Sequence, residues 1–143
     1  MQNDEGRKLL RAIDANSNRV SEGLRVVEEI ARFLLDDARL TETLKHLRHA
    51  IREATEHIGG SVTSLVEARE SEGDVGRPMS TQDSSERKDV VGLVAANMRR
   101  SEEGLRVLEE LSAAFDEEIS NKFKKWRFEL YTLEKGIIAR LHG

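Results

Sequence analysis

Cysteine is absent from the 143 residues, which removes disulfides, thiolate catalysis and Cys-based zinc sites together. Proline occurs once, at Pro78, and aromatic residues make up only 4% of the chain, so little interrupts helices and little favours a sandwich or barrel. No apolar run approaches the length of a membrane span. The opening Met-Gln-Asn-Asp-Glu-Gly carries neither the basic segment nor the apolar stretch of a signal peptide. Basic charge is not in excess either: the net charge is −4 and Lys and Arg are scattered among acids, so no electrostatic footprint for duplex nucleic acid stands out. Together these absences predict a soluble cytoplasmic protein with neither nucleic acid nor a membrane as partner.

What is present is charge, 35% of the residues, and a phrase stated twice. Residues 15–29 read ANSNRVSEGLRVVEE, and 81 positions later residues 96–110 read ANMRRSEEGLRVLEE. Each copy sets an Asn three residues before an Arg, then a Glu, then Gly-Leu-Arg-Val and a Glu pair. Internal similarity of this kind marks two related supersecondary units, too few for a solenoid. The length suits one domain with one core.

Apolar spacing predicts a first helix from about Arg7 to Asp36, with Leu9, Ile13, Val20, Leu24, Val27, Ile30, Ala31 and Leu34 on its stripe. After a break near Asp36 to Ala38, a second stripe of Leu40, Leu44, Leu47, Ile51, Ala54 and Ile58 ends at Gly59-Gly60. Helix can resume over Ser61 to Glu70. The segment SEGDVGRPMSTQD, 71–83, is a central loop whose length fits either a functional role or a simple crossing of the bundle. Asp83 with Glu86 has the spacing of a capping box, which predicts a third helix from there to about Phe115. Asp116, Glu117 and Glu118 then precede a fourth helix running nearly to the end. In the returning helices Leu40, Leu44, Lys45, Leu47 and Arg48 align with Ile119, Phe123, Lys124, Trp126 and Arg127, now 79 positions apart. The expected fold is therefore all-α: a four-helix bundle of two αα-hairpins, 7–58 and 86–137, related by a pseudo-twofold axis.

On a helical wheel Asn16 and Gly23 fall inside the apolar stripe, Arg19 at its margin and Arg25 opposite; Asn97, Gly104 and Arg100 repeat the pattern. A buried amide must be satisfied, so the two Asn residues either fix the register of the hairpins or contact a ligand. The two glycines suit close helix packing. Arg25 and Arg106 with the Glu pairs read as a solvated charged face. Arg48 and Arg127, with Lys45 and Lys124 nearby, either hold an anion or pair with a Glu of the adjacent helix. His46, His49, Glu53 and His57 share a face off the apolar stripe, either a metal site or an exposed His-rich surface. No phosphate-loop, dinucleotide, nucleophile-elbow or EF-hand motif occurs. Only Glu72 to Gly76 offers flexible amides and a carboxylate that could face phosphate and Mg²⁺.

Several of these residues also carry a family resemblance. Arg11-x-x-Asp14-Ala15-Asn16-x-Asn18-Arg19-x-x-Glu22-Gly23-Leu24-Arg25-Val26-x-Glu28 is followed by Leu44-Lys45-x-Leu47-Arg48-His49. Ala68-Arg69 and Gly73-Asp74-Val75-Gly76 complete the pattern. It resembles a small helical family of thiamine biosynthesis, described as monofunctional hydroxymethylpyrimidine-phosphate kinase, whose members stand alone or are fused ahead of thiamine-phosphate synthase. The resemblance runs from Arg11 to about Glu110. It implies ATP-dependent phosphorylation of hydroxymethylpyrimidine phosphate to the diphosphate, with Mg²⁺ and with ATP as co-substrate. Under that reading residue type nominates Arg19, Asp74 and Arg100 for catalysis. Asn16, Asn97, Arg48, Arg69, Gly73 and Gly76 are nominated for substrate, and Asp74 or Glu22 for the metal. The chain departs from the family at Glu70, where Asp is usual, and at Arg77-Pro78, where a Thr is usual. The alternative is a noncatalytic helical module that binds a ligand or thiamine-phosphate synthase. The apolar surface of the long helices also allows a homodimer.

Overall fold

The computed structural model describes residues 3–60, 68–69, 73–76 and 89–143, with four long helices and no strand among them. Helix α1 spans Asn3–Glu29 and passes without a break into a π-helical turn, Ile30–Leu34. Helix α2 spans Ala38–Gly59, α3 Val90–Ser112 and α4 Glu117–His142. Three of the starts are made by an aspartate in extended backbone whose carboxylate accepts a free amide of the first turn: Asp37 from Leu40, Asp89 from Gly92 and Asp116 from Glu118 and Ile119. Helix α3 thus begins at Val90 behind Asp89, a cap six residues later than the Asp83 of the capping-box reading with Glu86. Both residues of that box lie outside the described residues, as does the expected helix over Ser61 to Glu70 except for helical Ala68. Helix α3 also stops at Ser112, short of Phe115. Helix α2 stops where Gly60 takes φ +82°, the left-handed conformation that glycine enters without penalty.

The change of repeat offset from 81 to 79 has a local cause. Between Glu29 and Asp37 the chain has two residues more than between Glu110 and Asp116. The π-turn takes up the excess: Leu35 N donates to Ile30 O and Asp37 N to Ala31 O, wider closures than the ordinary helical one, and Asp36 adopts φ +49°. The shorter connection in the second half closes with tight turns from Ala114 to Leu111 and from Phe115 to Ser112.

The central packing is the crossing of α1 with α3, and α2 and α4 flank it as return helices. One continuous core joins Ile13, Val20, Leu24 and Val27 of α1 to Leu44 and Ile51 of α2, Val94, Met98, Leu105 and Leu108 of α3, and Phe123 and Leu130 of α4. The crossing is reciprocal. A Cβ on Gly23 would stand 2.3 Å from Ser101 Oγ and 2.6 Å from Asn97 O, and one on Gly104 would stand 2.7 Å from Val20 Cγ2 and 3.3 Å from Asn16 O. Each copy of the repeated phrase thus sets its glycine against the Asn turn of the other. Ser101 Oγ donates to Val20 O at 3.0 Å near the centre of the crossing. This is the pseudo-twofold relation that the repeat predicts. Among the described residues no helix is long and apolar enough to cross a membrane.

Candidate functional site

The residues stated twice are mostly held by one another. Asn16 Nδ2 donates to Ala12 O at 2.8 Å while its Oδ1 accepts from Arg19 Nη1 at 2.9 Å, and Asn97 Nδ2 donates to Leu93 O at 2.9 Å. The two amides are satisfied one helical turn back. Arg100 reaches across the crossing to Glu22, Nη2 to Oε2 3.4 Å. Arg48 lies against the buried Glu28, Nε to Oε2 3.0 Å, and its counterpart Arg127 grips Glu109 through Nε at 3.1 Å and Nη2 at 2.9 Å. Of the two roles open to these arginines, pairing with a Glu of the adjacent helix is the one the structure displays. His46 makes an exposed pair with Glu42, and the described residues contain no group of three His, Asp or Glu side chains arranged to hold a metal.

A cleft forms elsewhere, on the face of α1 that carries Lys8, Arg11, Ala15 and Asn18. Spacings of three and four residues put these side chains in one line. The cavity they line, with Ala12 and Asp14, encloses about 560 Å³ and is closed by Arg69 and Asp74 from the central segment. Arg69 is the anchor of that segment: Nε donates to Asp14 Oδ2 at 2.6 Å and Nη2 to Oδ1 at 3.1 Å. Asp14 is buried and Arg69 half-exposed, so the pair is a two-point hydrogen-bonded fork with one end still open to the cavity. The hydrogen bonds it donates to Asp14 hold the Arg69 guanidinium above its ordinary range, keeping it a permanent cation. Asp74 Oδ1 accepts from Gly76 N at 2.9 Å, so Gly73 to Gly76 turn about the aspartate as an exposed corner. A second cavity of about 160 Å³ adjoins, sharing Asp14, Asn18 and Arg69 and adding Ser17, Arg52, Thr55 and Glu56.

Of the nominated residues, the structure brings Arg69 and Asp74 to this cleft. It leaves Asn16, Arg19, Glu22, Asn97 and Arg100 at the α1 and α3 crossing and Arg48 on Glu28. Glu22 and Asp74 therefore do not share a metal site. Lys8, Arg11, Asp14 and Asn18 were not nominated, although Arg11, Asp14 and Asn18 stand in the motif that carries the resemblance. The signal that marks them is the failure of the repeat: the positions 81 residues on hold Asp89, Gly92, Ala95 and Arg99. Packing residues recur because both hairpins need them. The polar cleft residues Lys8, Arg11, Asp14 and Asn18 do not recur, whereas Ala15 of the same lining does, as Ala96.

The lining sets the cations Lys8, Arg11 and Arg69 beside the carboxylates of Asp14 and Asp74, with Lys8 also paired to Asp4 at 3.2 Å. Mg²⁺ ordinarily takes one or two carboxylates and completes its shell with water and phosphate oxygens, and Asp74 is the exposed carboxylate placed for that. The model of the ThiD2 family matches residues 11–136, well past the Glu110 at which the motif resemblance weakens. The chain belongs to the ThiD2 family. ThiD2 relatives include the thiamine-phosphate synthase of Rhodopirellula baltica, 36% identical over all of this chain and 38% of that protein. The thiamine-phosphate synthase of Synechocystis sp. is 38% identical over 97% of this chain and 39% of its own length. The chain thus spans under two fifths of these relatives, and their names associate this ThiD2 helical unit with thiamine biosynthesis. No solved structure matches the chain.

A second feature was not legible in the sequence. Glu102 is buried between α3 and α4, and burial first, then the neighbouring Glu134, push its carboxyl up to about 9, so it is neutral at pH 7. Among the described residues its Oε2 has no hydrogen-bond partner. At the corresponding places in the first half stand Ser21 and Thr55.

Proposed function

We propose that the chain binds a small phosphate ester of thiamine biosynthesis in the cleft between α1 and residues 69–74, as a helical module working alongside thiamine-phosphate synthase. The observation that carries this is the convergence of Lys8, Arg11 and Arg69 on a concave face, with Lys8 and Arg11 not repeated 81 positions on, where Asp89 and Gly92 stand. Charge-assisted hydrogen bonds from a fixed guanidinium suit a phosphate, and Asp14 fixes that of Arg69. The synthases that contain a segment like this one support the pathway and the partner.

A second reading, phosphoryl transfer, is favoured by the presence of Asp74 in the same cleft. Transfer between phosphates needs cations around the oxygens, a carboxylate for Mg²⁺ and alignment, with little covalent work by the protein. Here a phosphate oxygen of hydroxymethylpyrimidine phosphate would attack the γ-phosphorus of ATP, the bond to the β-phosphate oxygen would break, and ADP and the diphosphate would leave. Lys8, Arg11 and Arg69 would spread the developing charge. Asp74 would hold Mg²⁺, whose charge would offset that of the phosphates when bound.

Calorimetric titration with hydroxymethylpyrimidine phosphate and a coupled ATP assay separate the readings. Arg69→Ala should weaken binding at least about tenfold, the scale of a lost charge-assisted contact. Binding without turnover supports the module. Turnover that Asp74→Ala abolishes while binding persists supports the kinase. A folded wild type that neither binds nor turns over the compound would overturn both.

A further inference from the structure

The two cavities meet at the Asp14 and Arg69 fork, which lines both of them together with Asn18. The larger contains Lys8 and Arg11 and is the anion lobe of the proposed function, on which this inference rests. The smaller is different in kind. Its wall adds the hydroxyls of Ser17 and Thr55, the carboxylate of Glu56 and the guanidinium of Arg52 to the shared amide of Asn18. Thr55 is 2% exposed and gives its hydroxyl proton to Ile51 O at 2.9 Å, so the oxygen it presents can only accept. Glu56 adds a second acceptor from the next residue of the same helix. Arg69 gives Nε and Nη2 to Asp14, and its guanidinium lines both lobes.

We propose that the Asp14 and Arg69 fork divides one continuous cleft, and that the part of the ligand that bears no phosphate lies beyond it in the small lobe, with a hydrogen-bond donor of the ligand against Glu56 and Thr55. Asp14 is then a positioning residue, acting through Arg69, and Glu56 and Thr55 set specificity. The small volume limits this part of the ligand to about one substituted six-membered ring, and two adjacent acceptors select a donor such as an amino group. An unphosphorylated donor would meet the lobe but lack the anchor, and a bare anion would meet the anchor but not the lobe.

The test is titration of the full chain with two probes, inorganic pyrophosphate and hydroxymethylpyrimidine phosphate. Thr55→Leu fills the small lobe and Glu56→Gln converts an acceptor partly into a donor; Arg11→Ala strips the anion lobe. The pyrimidine phosphate should bind about tenfold more weakly to Thr55→Leu and to Glu56→Gln, while pyrophosphate affinity stays within about twofold. Arg11→Ala should weaken both probes. Should Thr55→Leu not fold, Glu56→Gln decides, since its side chain lies at the surface of α2 and half-buried. Unchanged pyrimidine binding in the lobe variants, or equal weakening of both probes, overturns the two-lobe assignment while leaving the anion cleft standing. Failure of wild type to bind either probe removes the cleft reading and this inference with it.

Discussion

A carboxyl group that stays protonated at neutral pH makes stability depend on pH in a predictable sense. In the unfolded chain Glu102 ionises near 4.5, and in the fold its value rises to about 9. Between those limits the folded state binds the extra proton, so stability is greatest at low pH within that window and is lost as pH rises through about 9. Thermal melts should fall in midpoint from pH 5 to pH 9, and Glu102→Gln should flatten that profile. At pH 9 the variant should be the more stable by about 1–3 kcal/mol, the cost of a buried polar group without a partner. A wild-type melting profile that is flat over this range would refute the assignment. In the buried pair of Glu28 and Arg48 each charge is compensated by the other. Arg48→Met leaves Glu28 buried and unpaired and should cost about 3–5 kcal/mol in denaturant unfolding. Replacing both residues, Glu28→Leu with Arg48→Met, should recover most of that loss.

Among elements, the two central helices depend on glycines that look alike in sequence to a third glycine with no such role. At Gly23 a methyl group would run into Asn97 backbone and Ser101, and at Gly104 into Val20 and the Asn16 carbonyl. Gly23→Ala and Gly104→Ala should each destabilise by about 1–3 kcal/mol through forced separation of α1 and α3. Gly136 lies in α4 with nothing within 4 Å of its would-be Cβ. Gly136→Ala should therefore stabilise by about 0.5–1 kcal/mol, the ordinary helix-propensity gain. Urea unfolding of the three variants measures both signs in one experiment. Equal effects at Gly23 and Gly136 would show that the crossing does not require the close approach.

In the molecule as a whole, symmetry in packing coexists with asymmetry in function. The crossing of α1 with α3 is reciprocal, whereas the cleft occupies only the first hairpin and the central segment anchored by Arg69 on Asp14. A phosphate ester bound there should protect backbone amides of α1 around residues 8–18 and of α2 around 52–56 from hydrogen exchange. Little change is expected along the outer face of α4. Saturation at about a hundred times the dissociation constant should add about 2.7 kcal/mol of stability, and Arg11→Ala should abolish the accompanying rise in melting temperature at the same ligand concentration. Protection spread equally over both hairpins would contradict a single-sided site.

The all-α architecture, the two hairpins and their twofold relation were legible in the sequence, because helix periodicity and the doubled Asn-Arg-Glu-Gly-Leu-Arg phrase are local properties of the chain. The pairing of Arg48 with a Glu was legible only as one of two options, since an arginine beside an apolar stripe can face a neighbour or a ligand. The start of α3 was misplaced because two aspartates, Asp83 and Asp89, compete for one helix cap and the sequence does not rank them. The cleft was the least legible part. It joins Asp14 to Arg69 across 55 residues of chain, a distance that neither residue's immediate sequence encodes. Repetition draws attention to Asn16, Arg19 and Gly23, which packing requires in both halves. Only the folded chain shows that the unrepeated Lys8, Arg11, Asp14 and Asn18 face one cavity, because convergence on a ligand depends on where the central segment returns to α1.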